Sequence, residues 1–201
     1  MGTRENILDA ALRIMRTEGY ARATTKEIAR AAGYSEAALY KHFRDKTEIF
    51  LSVLAEQLPG LSPLIARLGQ QVGTRTVRAN LEELVATAVA FYVESFPVAA
   101  SLFSSRQLLA AHRERLAELG AGGPRAPQDA LARYLGAERD LGRIAPDADP
   151  DALAALLLGA CFQQGFLASF TGAPPTVAER EALARRLVTA VVGATHAASG
   201  A

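Results

Sequence analysis

The spacing of apolar positions divides the first fifty residues into short helices separated by single glycines. Ile7, Leu8, Ala11, Leu12 and Met15 recur on one side of residues 4–18, and Gly19 closes that stretch. Ile28, Ala29 and Ala32 form a second, shorter stripe ending at Gly33, a residue that enters the left-handed conformation without a Cβ penalty. Leu39 and Phe43, four apart, mark the inner side of a third helix. The polar residues agree with these boundaries. Thr24 and Glu27 have the spacing to cap each other's amides, Ser35 suits the next N-cap, and Asp45 with Glu48 repeats the D-x-x-E arrangement before Ile49, Phe50 and Leu51. The pattern predicts a three-helix head running into a fourth helix that Pro59-Gly60 ends.

The helical period continues beyond the head, with no strand-like alternation. A shorter segment reaches about Val72, and Thr76 opens a long helix carrying Val77, Leu81, Leu84, Val85, Ala88, Phe91, Tyr92 and Phe96. Pro97 is expected to break or kink it. A further helix follows from about 98 to 119, interrupted near Ser104-Ser105. Residues 120–127 hold three glycines and two prolines and read as a loop, with another helix over about 128–141. Asp149 and Pro150 form a helix start, after which Ala152 to Phe162 is apolar on every side for eleven residues. A last helix, about 176–195, has Val177, Leu183, Leu187, Val188, Val191 and Val192 on more than one stripe. A helix apolar all round must be covered all round, and 201 residues leave little to cover the outer face of either. A second copy is the economical partner: two helices from each chain, about 150–170 and 176–195, make a four-helix bundle about a two-fold axis. The fold class is all-α.

Composition narrows the chemistry. Net charge is +1, so there is no global polycation, yet residues 1–50 carry nine Lys or Arg against seven Asp or Glu, and all three lysines (Lys26, Lys41 and Lys46) fall there. The single cysteine, Cys161, has no intrachain partner, which points to a reducing, cytoplasmic setting. Eleven apolar residues are about half the roughly 20 of a membrane span, so no membrane partner is expected. His42, His112 and His196 are far apart, no glycine-rich phosphate loop occurs, and alternating Asp147, Asp149 and Asp151 suit a helix cap better than a metal. No catalytic residue, cofactor or metal is expected, and the chain does not read as an enzyme.

Two capped helices meeting at Gly33 are the sequence form of a helix-turn-helix, whose second helix enters the DNA major groove, although ligand-free α-hairpins share the pattern. An interaction module that has lost DNA binding remains the alternative, on Glu36 and Ala38. Lys46 is out of place in a helix's first turn, where a bound phosphate would remove the conflict with the positive helix end. The ordered run Ile7-Leu8-Asp9-Ala10-Ala11, Gly19-Tyr20, Ala23-Thr24-Thr25, Ile28-Ala29, Ala32-Gly33 and Leu39-Tyr40-Lys41-His42-Phe43, then Lys46 and Glu48, resembles the N-terminal domain of TetR/AcrR-family transcriptional regulators. The resemblance covers about a quarter of the chain. It implies a DNA-binding domain at 1–50 and a regulatory domain for effector binding and dimerisation at 51–201, with the terminal helix pair as dimer interface. It also implies a homodimeric repressor that binds a pseudo-palindromic operator in double-stranded DNA and is released by a small effector, which the scarcity of inward charge on the middle helices, Glu94 and Arg106 aside, favours as apolar. The expected DNA-facing residues are Thr25, Ser35, Glu36, Ala37, Tyr40, Lys41, His42, Arg44 and Lys46. Effector candidates are Phe91, Tyr92, Phe96, Phe103, Phe162, Gln163 and Phe166, aromatic positions that plain core packing would also explain.

Overall fold

The computed structural model describes residues 2–58 and 61–197, without the side chains of Ser62 and residues 193–197. The Pro59-Gly60 break and the His196 side chain therefore lie outside the described residues. All regular elements among those residues are helical: α1 (Thr3–Glu18), α2 (Thr25–Ala32), α3 (Glu36–Leu39), α4 (Lys46–Ser52), α5 (Ser62–Gln70), α6 (Val77–Ala99), α7 (Arg106–Glu118), α8 (Ala126–Asp140), α9 (Pro150–Thr171) and α10 (Val177–Ala197). A π-helical segment, Val53–Gln57, continues α4. The chain forms two compact units, Met1–Pro59 with Ser95–Gly122, and Gly60–Glu94 with Gly123–Ala201.

The first unit closes over Ile7, Leu8, Met15, Ile28, Leu39, Phe43, Ile49 and Phe50, joined by Val98, Leu102 and Leu108. These are the stripes of the sequence pattern, now facing one another. Arg4 ties α1 to the π segment through a bidentate pair with Glu56, and its guanidinium lies 5.2 Å from the centre of the Phe43 ring. The pairing raises the Arg4 pKa and lowers that of Glu56. Pro97 does not end its helix: α6 runs on to Ala99 and tightens into a 3₁₀ turn, Ala100–Ser104. The chain breaks at Ser105, extended at φ −147°, whose hydroxyl caps α7. A proline removes the one N–H bond to the carbonyl four residues back and leaves the residues after it free to stay helical.

The second unit packs α5, α6, α8, α9 and α10 around Leu81, Leu84, Val85, Leu131, Leu135, Leu157, Cys161 and Val188. Asp149 caps α9 as expected, accepting from the amides of Asp151 (2.9 Å) and Ala152 (3.2 Å). Thr176 and Glu179 form a reciprocal box at α10. A polar cluster that sequence reasoning missed lies inside this apolar unit. Asn80 Nδ2 donates to the Tyr134 hydroxyl at 2.9 Å, Glu138 is fully buried and accepts from the Gly73 amide at 3.2 Å, and Arg143 lies 3.2 Å from the other oxygen of Glu138. Its signal was the Tyr134/Glu138 pair, four apart on the inner side of α8.

Burial pushes the Cys161 thiol up to about 12 and the Tyr134 phenol up to about 12. Both groups are neutral in either state at pH 7. Above the ordinary thiol value of 9.0 and phenol value of 10.0 the unfolded chain ionises while the folded chain does not. Stability is therefore fully present below pH ~9 and falls as pH rises toward about 12. The urea midpoint is expected to drop steadily from pH 9 to 11, and a flat midpoint over that range contradicts the burial of both groups.

Candidate nucleic-acid interface

The interface is built from the start of α2. Thr24 and Glu27 cap each other: the Glu27 amide donates to the threonine hydroxyl at 3.2 Å and the Thr24 amide to the carboxylate at 3.1 Å. Hydrogen bonds from Thr24 hold the Glu27 carboxyl below the usual carboxylate range. Gly33, at φ 80° and ψ 24°, ends α2 in the left-handed conformation, and the Tyr34 amide reaches back to the Ala29 carbonyl. Ser35 then caps α3 through the Ala38 amide at 3.2 Å.

Leu39 and Phe43 face the core, which turns Ser35, Ala37, Tyr40, Lys41 and His42 outward and leaves Glu36 partly exposed. The helix itself is shorter than the sequence suggests. Regular α geometry stops at Leu39, and the amides of Lys41 and His42 bond three residues back, to Ala38 and Leu39. Tyr40, His42 and Phe43 are weaker helix formers than Glu36 to Leu39. The chain must also become extended by Asp45, at φ −158°, to cap α4.

Three of the expected DNA-facing side chains meet one another. The Thr25 hydroxyl donates to Glu36 Oε1 at 2.6 Å and lies 3.3 Å from the Tyr40 hydroxyl, which is 3.5 Å from the same oxygen. The exposed tip of α3 is thereby tied to the first residue of α2. Eleven residues separate Thr25 from Glu36, so no local spacing signals this contact.

At α4, the Asp45 carboxylate accepts from the Glu48 amide at 2.8 Å, but Glu48 returns one residue earlier than a capping box requires. Its Oε2 accepts from the Arg44 amide at 2.7 Å and from Arg44 Nε at 3.2 Å. The misplaced Lys46 finds partners within the chain: Nζ donates to the Ala21 carbonyl at 3.1 Å and lies 4.1 Å from the centre of the Tyr20 ring. Its partial burial lowers its pKa, opposed by the Glu27 charge. These two contacts offset part of the conflict with the helix end.

The effector candidates divide between the units. In the second, Phe91 and Tyr92 meet edge to face at 5.0 Å, and Tyr92 meets Phe162 at 5.6 Å. Phe166 stacks on Phe170, and Gln163 is exposed between the phenylalanines. Phe96 and Phe103 fall in the first unit, with Phe103 largely exposed.

Comparison with known proteins follows the same lines. The family described as bacterial regulatory proteins, tetR family, matches residues 7–53. The HTH-type transcriptional repressor Rv1474c of Mycobacterium tuberculosis is 32% identical over 170 residues, covering 77% of this chain and 88% of that protein. Among solved structures, the fatty acid degradation regulator FadR of Bacillus halodurans superposes with a TM-score of 0.69 at 18% identity, over 96% of this chain and 95% of that one. SmeT, the repressor of the Stenotrophomonas maltophilia multidrug efflux pump SmeDEF, has a TM-score of 0.63 at 25% identity, over 94% and 90% of the two chains. SmeT also matches as its complex with triclosan, with a TM-score of 0.68 at 24% identity over 94% and 91%.

Proposed function

The chain belongs to the TetR family of bacterial regulatory proteins and is a transcriptional regulator, and from that premise we propose that it is a homodimeric repressor of a pseudo-palindromic operator, released by a small apolar ligand. The observation that carries the dimer is the outer face of α9. Leu156, Phe162, Phe166, Leu167 and Phe170 are between 39% and 79% exposed, while Ala154, Leu157, Leu158, Cys161, Gly165 and Ala168 bury the opposite face. A contiguous apolar surface of this kind favours a partner of the same character, and a two-fold axis lets one face cover its own copy. Val77–Ser104 and Pro150–Thr171 each have the length and hydropathy of a membrane span. The proposal accounts for both without a membrane, in the cytoplasm: α6 buries Leu81, Leu84, Val85, Ala88 and Val89, and α9 meets its copy.

Residues 1–50 serve as the DNA-binding domain and residues 51–201 as the regulatory domain. Thr25, Ser35, Glu36, Ala37, Tyr40 and Lys41 face base edges and nearby phosphates, and His42, Arg44 and Lys46 face the backbone. The Phe91–Tyr92–Phe162 cluster, with Gln163 beside it, supports an apolar or aromatic effector, and triclosan on SmeT is a ligand of that kind. A ligand favouring one arrangement of the protein changes operator affinity by its differential affinity, typically about 5- to 150-fold.

Selection of bound duplexes from a random pool, with the mass of the recovered complex, tests this reading. Two chains per duplex on half-sites about 34 Å apart, or a multiple of that, are expected. A single chain on an asymmetric site contradicts the dimer. Lys46→Ala is expected to weaken binding to all sequences alike and to lower the slope of log affinity against log salt by about one. An unchanged slope with a lowered melting temperature assigns Lys46 to Tyr20 and Ala21 alone.

A further inference from the structure

We propose that Glu36 sets the base preference of the head at one position of each half-site, by accepting a hydrogen bond from the N4 amino group of a cytosine. The inference rests on the DNA-binding reading above and deepens it. A carboxylate is an unusual group to present to DNA, because it accepts hydrogen bonds only and is repelled by phosphates. In the major groove it meets donors on two bases alone, the cytosine N4 and adenine N6 amino groups. Adenine sets its N7 acceptor beside that amino group, so a carboxylate there faces one donor and one repelling lone pair. Cytosine has only a C–H beside its amino group. Guanine and thymine present acceptors on the side a carboxylate would approach.

The local geometry suits this task. Glu36 opens α3, and the N-terminal residues of a recognition helix are those that contact base edges. The hydroxyls of Thr25 and Tyr40 both gather on Oε1, at 2.6 and 3.5 Å, so the side chain is held from two directions before DNA arrives. Oε2 takes no part in these bonds and keeps its accepting capacity. The neighbouring Ala37 and Ala38 are small enough to let the backbone come close to the bases. Thr25 and Tyr40 therefore act partly through Glu36, as positioning residues.

Duplexes selected from a random pool by the wild type, Glu36→Gln and Glu36→Ala test the assignment. The wild type is expected to enrich cytosine at one symmetric position per half-site, by about tenfold or more over other bases. Glu36→Gln is expected to move that preference to adenine, whose N6 and N7 match an amide, and Glu36→Ala to lose it, with the other positions unchanged. The wild-type protein provides a second test that needs no variant. Replacing the selected cytosine with N4-methylcytosine is expected to weaken its binding about tenfold or more, since the methyl group displaces the donor. A wild-type pool with no enriched site overturns the DNA-binding reading and this inference with it. An enriched site that all three proteins share at every position, or one indifferent to N4-methylation, overturns this inference alone.

Discussion

Leu156→Glu and Phe170→Glu are each expected to convert the protein to a folded monomer and to reduce operator affinity by about a hundredfold or more. The two positions are the most exposed large apolar side chains of α9, at 63% and 79%, so Leu156→Glu removes little packing from within the protomer and Phe170→Glu removes mainly its stack on Phe166. In a two-fold interface every substitution occurs twice, and residues near the axis face their own copies. Two carboxylates facing across a desolvated surface cost several kcal/mol. Each ~1.4 kcal/mol is a factor of ten in the dimer equilibrium. A monomer has one recognition helix in place of two, and it loses the half-site contacts that the two-fold arrangement supplies. Sedimentation and circular dichroism separate the cases: unchanged helicity with halved mass and lost operator binding is expected. A variant that stays dimeric with full operator affinity assigns the outer face of α9 some other occupant.

The helical boundaries were legible because they depend on local chemistry. Thr24, Ser35, Asp45 and Asp149 cap the helices they were expected to cap, and Gly33 takes its left-handed turn. Each needs only neighbours within about four residues. What the sequence hid depends on residues far apart in the chain. Glu36 looked like a lone acid on a DNA-facing surface until Thr25 and Tyr40 were seen to hold it. Lys46 has partners within the chain, Ala21 and Tyr20, that precede it by about 25 residues and that no local spacing signals. Pro97 does not end α6, since a proline removes one ladder bond, to the residue four before it, without barring the residues after it from the helix. The all-round apolar character of α9 was plain, but only the structure separates the face that Val85 and Tyr92 approach from the face left exposed.

Gly165→Val is expected to lower the melting temperature by about 5 °C or more. A Cβ at this position would lie 2.7 Å from the Tyr92 carbonyl oxygen, 2.8 Å from its carbonyl carbon and 2.9 Å from its Cβ. Real Cβ atoms do not approach backbone so closely, and these atoms cannot turn aside as the end of a side chain can. The backbones of α6 and α9 must therefore separate, loosening the Cys161 contact to the Val85 carbonyl, at 3.8 Å, and the Tyr92–Phe162 edge contact. Overpacking of this kind costs about 1–3 kcal/mol and more where the backbone must move. In a chain of this size each kcal/mol is worth about 2–4 °C. Gly165→Ala should show a smaller shift in the same direction. Gly69→Ala supplies the contrast: that glycine is helical, and an added Cβ meets nothing within 4 Å. It should raise stability by about 0.5–1 kcal/mol through helix propensity alone. If both glycines respond alike, the close approach of α6 to α9 is not what selects glycine at 165. If they respond with opposite signs, the Tyr92–Phe162 cluster rests on a contact that only glycine permits, and an effector bound there acts on that crossing of α6 and α9.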